Sequence, residues 1–366
     1  QPESNEPGAN PNLQPVMDME DLLTMGKTRK VCPFYYTRSL VENAELILVP
    51  YNYLFDKEAR TTTLSEVPWK NSVVIFDEAH NLEGFASDSA SFDLSSVDVA
   101  ACISELERVL GYQQSMPEIT ERISGDNLIR LKAIFLELEE YILQLNNDRN
   151  VFNGEFMMKI LTEGARINHS NHAMFVNEAK KVSDILMDLR STGGSKGQTK
   201  IDFFIGCVKC VYGEPTEGRC LAKASAYRVH VSDKTGSSKS SPRTVSYWCF
   251  APSLAMQELA DLNIRSVIVT SGTLSPLPSY SMELGIPFPH TLENPHIIAD
   301  EQIHVRVIGH GVSGKPLSSA YNRRDDSDYL AELGSTIVNL ARVVPGGMLI
   351  FFPSYSVMNN CIEAWG

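Results

Sequence analysis

Asp77-Glu78-Ala79-His80 follows directly on Val73-Val74-Ile75-Phe76. Two adjacent carboxylates with an imidazole close by are the groups that nucleotide hydrolysis uses. An Asp holds Mg²⁺ mostly through its water shell, because Mg²⁺ keeps several waters and takes few protein carboxylates. A neighbouring Glu orients and deprotonates the water that attacks a γ-phosphate, and a nearby His senses that event. The assignment is therefore Asp77 to the metal, Glu78 to the water and His80 to the coupling. The plainer alternative is a strand ending in an acidic turn. The four-residue spelling after an apolar run sets this stretch apart from it.

The elements that must position these groups are legible nearby. Four apolar residues, three of them β-branched, predict a short strand buried on both faces of a parallel sheet. The carboxylates then sit at its carboxyl end, where open α/β sheets take their ligands. A second strand, Ser266–Thr270, runs into Ser271-Gly272-Thr273-Leu274-Ser275-Pro276. Alone, that is a Ser/Thr/Gly turn. Paired with the Asp77 loop, its hydroxyls are placed to hydrogen-bond that loop and relay the state of the nucleotide.

The chain as a whole bounds these readings. Its 366 residues, 43% hydrophobic and 21% charged, allow two or three domains of ordinary globular composition. No run of 18 apolar residues occurs, so no membrane partner is expected. The net charge of -13 does not announce a nucleic-acid binder. It is a weak veto, because single strands are also gripped by backbone amides and stacking side chains. Seven cysteines, irregularly spaced, argue against a disulfide scaffold and for a reducing compartment. The polar, Pro-rich start without Met, and an end at Gly366 inside a helical pattern, read as a segment cut from a longer protein.

Three other constellations compete for attention. Gly309-His310-Gly311-Val312-Ser313-Gly314-Lys315 fits G-x-x-x-x-G-K, but Pro316 stands where a P-loop needs Ser or Thr and no helical pattern follows, so it reads as a loop. Cys207-Val208-Lys209-Cys210 with Cys220, His169 and His172 has some zinc-like spacing but no tight knuckle. Cys32, followed by Pro33, reads from the residues alone as a buried free thiol, since iron–sulfur clusters need four thiolates. Tyr35, Tyr36, Tyr51, Tyr53 and Phe55 serve equally as base-stacking surface or as sheet core.

Along the chain, a short helical pattern around Met17–Met25 precedes a polar helical stretch ending near Glu45, and Leu46–Val49 reads as a buried strand. From Phe92 the character turns helical. Leu128, Leu131, Phe135, Leu138, Tyr141, Ile142 and Leu145 mark one long amphipathic helix, with others at Val97–Leu110 and Ala173–Leu189. Ser191–Thr199 and Ser232–Arg243 are Gly/Ser/Lys-rich loops. Strand Val245–Phe250 and helix Ser253–Leu262 follow. Past Pro289, strand Ile303–Ile308, helix Asp328–Val343, strand Met348–Phe352 and helix Tyr355–Trp365 begin a further α/β unit.

Taken together, VCPFYYTR (31–38), VPYNYL (49–54), VVIFDEAHNL (73–82), SYWCFA (246–251), TSGTLSP (270–276), LENPHI (292–297) and MLIFFPSY (348–355) resemble, in order, the XPD-type branch of superfamily 2 DNA helicases, and within it the telomere-elongation subgroup. The resemblance implies an α/β fold: a RecA-like P-loop NTPase motor domain with a parallel sheet, interrupted by a mostly helical Arch-like insertion and followed by the start of a second RecA-like domain. The implied division is 1–33, remnant of an iron–sulfur domain; 34–91, first part of motor domain 1; 92–244, Arch-like insertion; 245–290, return of motor domain 1; and 291–366, start of motor domain 2. It implies Asp77 and Glu78 as the Mg²⁺–ATP and water-activating pair, His80 as coupling residue, Ser271, Gly272 and Thr273 as the relay, and Cys32 as the last of four [4Fe-4S] ligands. It further implies ATP-driven 5′-to-3′ unwinding, single-stranded and duplex DNA as partners, protein partners in repair, recombination control and telomere maintenance, and a nuclear location. The P-loop, the other three cluster cysteines and the later helicase motifs would lie outside these residues, so this chain alone is expected to be inactive. A non-catalytic binding module is the rival from another class, and an RNA helicase a lesser one.

Overall fold

The computed structural model describes residues 17–113, 115–145, 151–191, 198–233, 242–295 and 297–366. Residues 1–16, most of the expected loops at 191–199 and 232–243, and His296 lie outside the described residues. Two compact units result, Gln1–Thr291 and Leu292–Gly366. No helix among the described residues is long and apolar enough to cross a membrane.

The first unit opens with α1 (Met19–Arg29), α2 (Pro33–Ser39), α3 (Tyr51–Phe55), α4 (Lys57–Thr62), β1 (Val73–Phe76) and α5 (Leu82–Ser89). Asp18 caps α1 reciprocally with Asp21, a capping box that satisfies two otherwise orphaned amides. Leu46–Val49 is irregular and joins neither sheet. An apolar run becomes a strand only where a neighbour accepts its hydrogen bonds.

The insertion comprises β2 (Phe92–Ser95), α6 (Ser96–Gln113), α7 (Pro117–Arg122), α8 (Gly125–Gln144), β3 (Val151–Asn153), α9 (Glu155–Ala165), α10 (His172–Ser191), α11 (Lys200–Tyr212), α12 (Glu217–Ala224), β4 (Tyr227–Asp233) and β5 (Arg243–Cys249). The helical periodicity of α8 holds: Leu128, Leu131, Phe135, Leu138 and Ile142 are buried, and the Ser124 hydroxyl accepts the Asn127 N–H at 3.2 Å to start the helix. Phe135 packs edge-on to Phe204 with ring centroids 4.9 Å apart. A four-stranded antiparallel sheet in the order β2-β5-β4-β3 accompanies these helices. It is held by the stacked Tyr227 and Tyr247 rings, 4.2 Å apart. The strand expected at Val245–Phe250 thus forms, but it pairs with β4 and β2 inside the insertion rather than with β1.

The chain then returns through α13 (Ser253–Ala260), β6 (Ser266–Val269) and α14 (Leu277–Leu284). Here β6 pairs parallel to β1, from Val73 opposite Ser266 to Phe76 opposite Val269. Contrary to the two-faced burial expected for β1, Val74 and Phe76 are buried while Val73 and Ile75 are 48% and 58% exposed. The buried pair faces a core containing Leu82, Ala86, Leu259 and Leu284, so one face of this two-stranded sheet is covered and the other is open.

The second unit holds α15 (Ser327–Ala341) and α16 (Tyr355–Trp365), packed through Leu330, Val357 and Cys361. The Trp365 indole N–H donates to the Leu330 carbonyl at 2.8 Å. The strands expected at Ile303–Ile308 and Met348–Phe352 form no ladder among the described residues, and Val307 and Leu349 are 98% and 78% exposed. With no neighbouring strand to pair, these apolar runs stay outside any ladder.

Candidate active site

Strand β1 delivers its last buried residue, Phe76, into the core and stops. Phe76 is clamped there by Phe55, stacked at 5.8 Å, and by Tyr51, edge-on at 5.7 Å. Asp77 and Glu78 therefore emerge from a fixed point at the carboxyl end of the strand. Asp77 accepts the Glu78 N–H at 3.0 Å. Glu78 adopts a left-handed backbone, φ 50° and ψ 44°, which a non-glycine residue takes up only when its surroundings impose it. A short 3₁₀ turn, Ala79–Asn81, then feeds α5.

The turn after β6 meets this loop. The Ser271 hydroxyl donates to Glu78 Oε2 at 3.2 Å and accepts from His80 Nδ1 at 3.0 Å and, weakly, from the Thr273 N–H at 3.4 Å. One donor and two acceptor positions are thereby used. Asn81 Nδ2 lies 2.9 Å from His80 Nε2, and an amide nitrogen there can only donate. His80 Nδ1 thus faces both the Ser271 hydroxyl and Glu78 Oε2, the latter at 3.3 Å. A change at any of Glu78, His80 or Ser271 alters the partners of the other two.

Asp77, Glu78 and His80 are open to solvent. Two exposed, adjacent hard-oxygen donors fit a Mg²⁺ that keeps most of its waters. Tyr51 stands beside them: partial burial and then the charges of Asp77 and Glu78 push its hydroxyl up, keeping it a neutral donor. Gly272 has open space where a Cβ would lie, so nothing around it demands glycine, and Thr273 contributes its backbone N–H. The residue types alone do not single out Asn81, and they leave Tyr51 equally a stacking surface or part of the sheet core. The adjacency of Asn81 to His80 was the available signal.

The remaining candidates disperse. Cys32 is exposed at the N-cap of α2, not buried as the residue-only reading had it. Among the described residues no group of three or more His, Cys, Asp or Glu is placed to hold a metal, so Cys32 by itself does not fit a four-thiolate cluster. Cys207 and Cys210 lie on α11, where burial pushes both thiols up and keeps them protonated; Cys220 donates instead to the Glu214 carbonyl at 3.8 Å. Gly309–Lys315 is a tight turn closed by a bridge between His310 and Pro316, with Lys315 paired to Asp328 at 3.2 Å and Ser313 bonded to Glu332. Of the aromatic run, Phe55 is buried and Tyr51 and Tyr53 line the core, whereas Tyr35 is 56% exposed. A cleft of about 610 Å³ opens elsewhere, lined by Glu83, Gly84, Trp248, Phe250, Pro252 and Glu283, and does not include the Asp77 loop.

Comparison with known proteins bears on this geometry. The DEAD_2 family model matches residues 3–99, and the model of the RTEL1 helicase ARCH domain matches residues 98–252. The regulator of telomere elongation helicase 1 homolog of Oryza sativa subsp. japonica is 39% identical over 368 residues, covering 95% of this chain and 36% of that protein. The regulator of telomere elongation helicase 1 of Rattus norvegicus is 37% identical, covering 96% and 30%. That of Homo sapiens is 35% identical, covering 96% and 32%. A solved structure titled XPD_Helicase overlays with a TM-score of 0.48 at 16% identity, covering 94% of this chain and 52% of that one. The chain spans about a third of the length of the curated relatives it matches. The chain is thus similar along nearly its whole length to RTEL1-type helicases: the DEAD_2 model takes its first part, including the Asp-Glu-Ala-His loop, and the RTEL1 helicase ARCH model takes the insertion that follows.

Proposed function

We propose that the protein to which this chain belongs is an ATP-dependent 5′-to-3′ DNA helicase that unwinds or remodels DNA in repair, recombination control and telomere maintenance, working in the nucleus. The observation that carries the reading is the meeting of Glu78, His80 and Ser271 within 3.0–3.3 Å at the carboxyl end of β1. Asp77 would hold Mg²⁺ through its water shell. Glu78 takes the proton of the attacking water, because its carboxylate is exposed and aimed by a fixed backbone. His80 and Ser271 sense the position of that carboxylate and pass it to the strand that leads into α14. Mg²⁺, when bound, would neutralise phosphate charge. Motor segments 34–91 and 245–290, an Arch between them from 92 to 244, a second motor unit from 291 and an iron–sulfur remnant before 34 belong to the same proposal, with Cys32 as one cluster ligand.

By itself the chain should turn over no ATP. Its P-loop-like stretch is folded as a turn, and electrostatic positioning of the phosphates is most of phosphoryl-transfer catalysis. The test is Glu78→Gln in the full-length protein: ATP binding should persist and DNA-stimulated turnover should vanish. Wild-type turnover in that variant would remove Glu78 from its role and the helicase reading with it.

A further inference from the structure

Glu78 holds a left-handed backbone that its own side chain does not explain. The cause lies one residue on. Ala79 is fully buried and is gripped on both sides by the segment that follows β6. Its N–H donates to the Thr270 carbonyl at 3.0 Å, and its carbonyl accepts the Tyr280 hydroxyl at 2.7 Å. Thr270 is in turn tied to β1, its N–H donating to the Phe76 carbonyl at 2.9 Å. The peptides on either side of Ala79 are thus both held, the Glu78–Ala79 one to residue 270 and the Ala79–His80 one to residue 280, so Glu78 cannot relax toward an ordinary conformation without disturbing one of these bonds.

Tyr280 is suited to that task. It lies on α14, its ring sits in the core with Phe76 and Leu284, and only 8% of it is exposed. Burial, reinforced by the charge of Glu83, keeps the phenol protonated and so a permanent donor. A second contact ties α14 to the helix that follows the turn, between the Glu83 carboxyl on α5 and Glu283 on α14.

We infer that Tyr280 is a positioning residue for Glu78: by holding the Ala79 carbonyl it fixes the backbone that aims the water-activating carboxylate, and it makes α14 a backbone route to that carboxylate alongside the side-chain route through Ser271. This rests on the proposal that Glu78 activates water.

The test is Tyr280→Phe in the full-length helicase, beside Glu78→Gln and Leu284→Ala. The phenylalanine keeps the ring and removes only the hydroxyl. The expected result is a fall in kcat of about tenfold to a hundredfold, the scale of a misplaced catalytic group, with KM for ATP within about twofold of wild type. Leu284→Ala, which loosens α14 but leaves the hydroxyl, should lower the melting temperature while sparing kcat per folded molecule. Wild-type turnover in Glu78→Gln overturns the parent reading. A dead Glu78→Gln with an unaltered kcat in Tyr280→Phe overturns this inference alone, as does a loss in Tyr280→Phe matched by Leu284→Ala. Hydrogen exchange on the wild type supplies a test without a variant. A nucleotide analogue should change protection at 77–81 and 277–284 together, and a change confined to 77–81 overturns the coupling.

Discussion

Arg60→Ala should be among the most damaging single substitutions in the first unit, although Arg60 touches none of the reacting groups. The Arg60 side chain is only 7% exposed. Its Nη1 donates to the carbonyls of Leu54 and Phe55, at 2.5 and 3.0 Å, and so caps the C-terminal end of α3, where the helix dipole favours a cation. Its Nη2 pairs with Glu258 on α13 at 3.2 Å. Removing the guanidinium leaves two carbonyls short of a charged donor, at about 1–3 kcal/mol each. The Glu258 side chain is 48% exposed, so its pair adds at most about 1 kcal/mol. The sum, about 2–7 kcal/mol, brackets the about 3–5 kcal/mol usual for breaking a buried charge pair, which is the range adopted. At about 2–4 °C per kcal/mol the melting temperature falls by about 6–20 °C. The effect reaches the site because α3 carries Tyr51 and Phe55, the two rings that clamp Phe76. Thermal unfolding followed by circular dichroism reads the change directly. Glu258→Gln is the control and should cost about 0–1 kcal/mol. A loss under about 1 kcal/mol for Arg60→Ala, or an equal loss for Glu258→Gln, would refute the assignment of the energy to the capped carbonyls.

Gly285→Ala should cost about 2–4 kcal/mol in a urea melt, because Gly285 ends α14 at φ 65° and an added Cβ would collide with the Ser253 side chain. A neutral result would mean the 281–285 cap can reopen. The contact between α5 and α14 should weaken with rising pH. Partial burial first, then the hydrogen bond to Glu283 and its charge, push Glu83 up to about 7 from an ordinary 4.5. The folded state therefore binds more protons than the unfolded one between those values, so stability falls as pH rises from about 4.5 to about 7 and levels off above it. Glu283→Gln should flatten that slope; an unchanged pH profile of the melting temperature would exclude the shared proton.

Helices were legible where apolar spacing alone decides them. Tyr355–Trp365 forms with the expected bounds, and α8 buries five of the seven residues that marked it. Strands were less so, because an apolar run states that a segment can be buried and not which neighbour buries it. The run before Asp77 predicted two covered faces and has one, since β6 is its only partner among the described residues. The antiparallel sheet of the insertion was hidden for the opposite reason. β2 and β3 are four and three residues long, too short to show a period of two amid strong helical signals.

The candidate site shows the same division at finer scale. Asp77, Glu78 and His80 are contiguous, and Ser271 lies in a turn of recognisable chemistry, so the side-chain network could be read from residue types. The backbone that aims it could not. Ala79 is the one residue of the loop without a functional group, and besides the local Leu82 N–H it is bonded to Thr270 and to Tyr280, the latter 201 positions away. Its contribution is made entirely by peptide atoms, which every residue type shares. No spelling of the sequence distinguishes an alanine that anchors a strained peptide from one that fills space. The distinction comes only from the return of β6 alongside β1, which brings the turn, the Ser271 hydroxyl and the Tyr280 phenol to one end of one strand. A change in the seating of β6 or α14 would thus move Glu78 by two routes at once, the side-chain bond to Ser271 and the peptide bonds at Ala79, so the two segments respond as one body.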